Sequence, residues 1–92
     1  MRRLFDHFHA ELSVHLGRLV PRYALWLSLR EAGLDPELLT RDQALAFCRQ
    51  RLAAFLAAQG LRLAPRPARR LERELRRFDP GRATPYEHAA RI

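Results

Sequence analysis

Apolar residues recur along this chain mostly at intervals of three and four. Leu4, Phe5, Phe8, Leu12, Leu16 and Leu19 fall on one arc at 3.6-residue spacing, which predicts an amphipathic helix from about Arg3 to Val20. Gly17 weakens its end. Pro21 then either stops it or takes the first turn of a second helix; one long helix kinked at Pro21 is the alternative. From Pro21 to Ala32 the pattern is apolar nearly all round (Tyr23, Ala24, Leu25, Trp26, Leu27, Leu29). A helix of that kind is usually central and buried, and Gly33 is placed to cap it. Leu34 to Leu39 reads as a turn, with room for one short helical turn starting at Pro36.

The third segment has the clearest boundaries. Thr40 and Gln43 make a Thr-x-x-Gln capping box, and Gly60 stands as the stop. Between them Ala44, Leu45, Cys48, Leu52, Phe55 and Leu56 form the main apolar stripe. Phe47, Ala54 and Ala58 form a second, smaller stripe on another side. A helix with two apolar faces is sandwiched or meets another chain, so Phe47, Ala54 and Ala58 are the candidate protein interface. Leu61 to Pro67 reads as an extended linker, since residues before proline avoid helical angles. A fourth helix is expected from Ala68 to Phe78, with Pro67 in its first turn and Asp79-Pro80-Gly81 as its break. Thr84-Pro85 could open a last short helix through Tyr86, Glu87, Ala89 and Ala90.

These elements predict an all-α fold, a small bundle of four main helices with a basic surface helix near the C-terminus. The second and third helices are expected at its centre. Residues 1–82 are expected to form a single helical domain, with 83–92 as a C-terminal tail. Composition agrees with helices: Leu, Ala and Arg dominate, and the β-branched residues that favour strands are few. Ninety-two residues can bury one modest core, and self-association is a common remedy for a core that small. The nearly uncharged apolar stretch Tyr23 to Leu29 is far short of a membrane span, and Met1 to His7 has no apolar run after its two cations, so no signal peptide is read there. The single cysteine, Cys48, excludes an internal disulfide and makes a reducing cytoplasm the default location.

Charge changes the picture. The net charge is +7, and all 17 cations are Arg. Up to Cys48, six Arg balance six acids; from Arg49 onward eleven Arg face four acids, so the second half alone holds the excess. On the fourth helix Arg69, Arg70, Arg73, Arg76 and Arg77 fall within an arc of about 120°, with Leu71, Leu75 and Phe78 opposite and Glu72 and Glu74 at the borders. Arg66 and Arg82 extend the row at each end. Planar guanidinium groups match phosphates, and each neutralised phosphate releases counterions. Asn is absent and the row carries no Gln, so recognition of backbone or shape is expected rather than base reading. The row could equally meet an acidic protein, or form a solvated face in which Arg70 pairs with Glu74 and Arg69 with Glu72.

Other chemistry is not supported. His7, Glu11 and His15 stand one turn apart, a spacing that can ligate a metal. No Glu-x-x-His accompanies them, the remaining helix-borne ligands are missing, and His88 is in the tail, so no metal is expected: His15 borders the core, with His7 and Glu11 solvated. Cys48, on the apolar stripe, reads as a buried structural thiol without a base to activate it. Tyr23 and Trp26 could stack bases, but core packing is the stronger reading in so apolar a segment. Four scattered glycines make no phosphate loop. The expectation is a non-catalytic binding module without cofactor, with nucleic acid as partner. The alternative is a helical adaptor or homodimeric subunit that binds an acidic or apolar helical surface.

Overall fold

A computed structural model describes residues 3–79. Within them lie five α-helices and one 3-10 turn, and no strand: α1 Leu4–Leu16, α2 Arg22–Glu31, the turn Pro36–Leu38, α3 Arg41–Gln50, α4 Leu52–Ala58 and α5 Pro65–Arg76. The expected tail helix from Thr84, with Tyr86 and His88, and the 82/83 boundary lie outside the described residues.

The first helix stops earlier than its apolar spacing implies. Gly17 takes a left-handed conformation (φ 74°), its N–H donates to the Val14 carbonyl, and the Arg18 N–H donates to the Ser13 carbonyl. This is the Schellman arrangement, which satisfies terminal carbonyls at an angle that only glycine adopts without strain. Gly33 and Gly60 close α2 and α4 in the same way. The chain after Gly17 folds back along α1: the Val20 N–H donates to Ser13 Oγ at 3.0 Å, and His9 Nε2–H donates to the Val20 carbonyl at 2.7 Å. Val20 is thereby buried, while Leu19, expected on the core arc, points to solvent.

The capping box is formed as expected: the Gln43 N–H donates to Thr40 Oγ1 at 3.2 Å and the Thr40 N–H donates to Gln43 Oε1 at 3.1 Å. The single third helix, however, is divided at Arg51 (φ −131°, ψ −18°). No proline or glycine causes this. On one straight helix the core residues Ala44, Phe47, Leu52, Phe55 and Leu56 would spread over about 180°. Divided at Arg51, α3 offers Ala44 and Phe47 as a narrow face, and α4 offers Leu52, Phe55 and Leu56.

α5 begins at Pro65, three residues before the expected start, so the predicted linker is partly helical. Ala64, preceding a proline, is extended (ψ 158°) and serves as N-cap. A helix normally leaves four N–H groups unmatched at its start; Pro65 and Pro67 have none to leave.

One core joins the elements: Phe8 and Leu12 of α1, Leu25 and Leu29 of α2, Phe47, Leu56, and Leu71 and Leu75 of α5 are essentially without solvent exposure. Phe8 and Phe47 meet edge to face, centroids 6.0 Å apart, a favoured aromatic geometry. The most extensive helix contact is α1 with α5, and α3 also packs on α5. The expectation that α2 is central is overturned. Only Leu25 and Leu29 of α2 are buried, and Tyr23 is 70% exposed. Among the described residues, no helix is long and apolar enough to cross a membrane.

Candidate nucleic-acid interface

α5 sits on the molecule by one edge of its cylinder. Leu71 and Leu75 are fully buried and Phe78, just past its end, nearly so. His7 Nε2–H donates to the Glu74 carbonyl at 3.1 Å, and the His7 and Phe78 rings lie 5.1 Å apart, so α1 holds the C-terminal half of α5 from one side. Opposite the buried leucines, Arg66, Arg69, Arg70, Arg73, Arg76 and Arg77 are all exposed. Arg82 lies outside the described residues.

The acids on α5 do not pair with the row as its spacing would allow. Glu72 Oε1 accepts from Arg49 Nε of α3 at 3.0 Å, not from Arg69. Glu74 lies 4.0 Å from Arg77, not against Arg70. Both acids are thus at the borders of the row, and Arg66, Arg69, Arg70, Arg73 and Arg76 have no carboxylate within ion-pair distance among the described residues. α3 adds two cations absent from the expected set. Arg49 reaches Glu72, and Arg41 Nη1 donates to the Arg76 carbonyl at 3.1 Å, satisfying a terminal carbonyl of α5. The excess of arginine after Cys48 was a signal for Arg49. Nothing in sequence placed Arg41 beside Arg76, because that contact crosses 35 residues.

The other candidates resolve differently. Phe47 is 2% exposed and belongs to the core, which corrects its assignment to a protein interface. Ala54 and Ala58 are exposed and line an open cleft with Ala24, Leu27 and Phe55, between α2 and α4. The kink at Arg51 is the physical reason: it shifts the phase of α4, so a stripe continuous in sequence is split between interior and surface.

His7 and Glu11, expected in solvent, are buried (1% and 0% exposed). His15 Nε2 lies 3.6 Å from Glu11 Oε2, and His7 faces Glu74 and Phe78. Among the described residues, no three His, Cys, Asp or Glu side chains are gathered as metal ligands. Cys48 is largely buried, and burial, helped by the Glu72 charge, pushes its thiol up to about 12, so a thiolate is not populated at neutral pH. At the far end of α1, burial raises the Asp6 carboxyl but is outweighed by hydrogen bonds and charge from Arg22 and Arg3, which hold it below its ordinary value.

Comparison with protein-family models, curated proteins and solved structures finds no match to this chain.

Proposed function

We propose that this chain is a non-catalytic binding module that holds nucleic acid by its sugar-phosphate backbone along α5. The observation carrying the reading is the exposed row Arg66, Arg69, Arg70, Arg73 and Arg76, with Arg77 beside it and no acid paired to the first five among the described residues. Each guanidinium offers a planar fork of donors that can hold a phosphate by two hydrogen bonds, and its charge does not titrate at physiological pH. The two acids of α5 could match at most two arginines of the row, and Glu72 is drawn away to Arg49 instead. Arg82, at the end of the row, is proposed to extend the contact. In this reading the domain spans 1–82 and acts in the cytoplasm. Its four main helices are α1, α2, the bent pair α3–α4, and α5 as the basic surface helix.

The test is binding to labelled random duplex and single-stranded DNA and RNA across a salt series, beside a variant with Arg69, Arg70, Arg73, Arg76 and Arg77 changed to Gln. Wild type is expected to bind at low salt with log affinity falling by about 0.7–0.9 per neutralised phosphate for each unit of log salt. The variant should lose most of the affinity and about one unit of slope per contact removed. Absence of binding to any of these probes at low salt would sink the reading and leave the row as a surface for an acidic protein or as a merely solvated face.

A second reading is favoured by a separate observation, the exposed small residues Ala54 and Ala58 beside Leu27. Small side chains let another helix approach closely, as in a homodimer or a helical adaptor complex. Such apolar association persists or tightens at high salt, unlike phosphate binding. Sedimentation at high salt should then show a dimer that Ala54→Glu dissociates; a monomer at all concentrations would remove the homodimer.

A further inference from the structure

The first turns of α2 carry two aromatic residues at the surface: Tyr23 is exposed, and Trp26 is partly buried with one side packed against the core. Tyr23 is 70% exposed and stacks on Trp26, rings 15° from parallel and centroids 5.9 Å apart. One turn further along, the Arg30 guanidinium lies 5.5 Å from the centre of the Trp26 ring, so cation and aromatics form a continuous ladder on one side of the helix. Beside it opens a cleft lined by Arg3, Phe5, Arg22, Tyr23, Trp26 and Glu37. Its floor is held rigid: Arg22 lies 4.8 Å above the Phe5 ring and pairs with Asp6, and Arg3 pairs with Asp6 and Glu37. These two acids match Arg3 and Arg22, while Arg30 has no carboxylate within ion-pair distance among the described residues. α2 also begins without a side-chain cap and without an acid in its first turn, leaving its first N–H groups available to an anion.

We infer that the Tyr23–Trp26 ladder is a stacking platform for the unpaired bases of single-stranded nucleic acid, an inference that rests on the backbone reading of α5. A nucleobase can cover an exposed aromatic ring with a flat π-face whatever its sequence. The flanking Arg30 and the helix N-terminus suit the phosphates on either side of a stacked base. A short stretch of chain connects the two surfaces. Arg41 touches the C-terminal end of α5 at Arg76, and Glu37, four residues earlier, lies at the cleft. Their Cα atoms are therefore no more than about 15 Å apart. A single strand can run from the arginine row past Arg41 to the aromatic ladder, whereas the paired bases of a duplex cannot turn their faces to Tyr23. The platform thus assigns single strands as the preferred class.

Trp26 is the only tryptophan of the chain, so its emission reports directly on stacking. The probes are a short oligothymidylate and an abasic oligomer of equal length and charge. The intact protein should bind the base-bearing strand roughly five- to one-hundred-fold more tightly than the abasic one, with quenching of Trp26 emission. Tyr23→Ala should abolish most of that difference and Tyr23→Phe should retain it; Tyr23 is exposed, so neither change disturbs the core. Equal affinity for both probes with unchanged emission would overturn the platform while leaving the α5 reading standing. Failure to bind either probe at low salt would overturn the platform, and the α5 reading with it only if duplex DNA and RNA also fail to bind.

Discussion

Phe47 stands where two patterns cross. By straight helical phase it belongs with Ala54 and Ala58, and all three read as one interface stripe. In the fold it is buried against Phe8, while the two alanines stay outside. The consequence is measurable. Phe47→Ala should destabilise the protein by about 3–5 kcal/mol, the usual cost of removing a buried phenyl ring, read as a lowered denaturation midpoint. A cost within about 0.5 kcal/mol, typical of surface positions, would place Phe47 on the surface after all. His7 and Glu11 teach the same lesson. Polar residues one turn apart on an amphipathic helix read as solvated, yet both are interior, His7 because α5 covers it. Side-chain type alone carries no information about which neighbour arrives.

At the scale of elements, the capping chemistry was readable and the lengths were not. Thr40 with Gln43, and the glycines after α2 and α4, are local devices whose partners lie within five residues, so their sequence signatures survive folding. The break at Arg51 has no such signature, because it answers to core geometry rather than to local propensity. α5 shows both sides. Its face was readable since arginines and leucines separate cleanly by phase, but its start moved to Pro65 because prolines are well tolerated in a first turn. Its attachment depends on two leucines. Leu75→Asp puts a carboxylate where Leu75 has no solvent exposure, and should cost more than about 3 kcal/mol. Circular dichroism should show loss of roughly one helix and a lowered melting temperature; unchanged helicity and melting would mean that α5 does not depend on this contact.

At the scale of the whole molecule, α5 turns its leucines to α1 and α3 and its arginines to water, while α2 leaves Tyr23 outside among Arg3, Arg22 and Glu37. The chain by itself determined the helical class, the capped boundaries at Thr40, Gly33 and Gly60, and the arginine arc of α5. Each of these depends on residues close in sequence and on the 3.6-residue period. Tertiary structure alone decided that α2 is peripheral, that Phe47, His7 and Glu11 are interior, that Glu72 turns to Arg49, and that Tyr23 is open to solvent. Those outcomes depend on which elements pack together. That is set by the summed fit of a small core, in which α5 and not α2 became the main partner of α1.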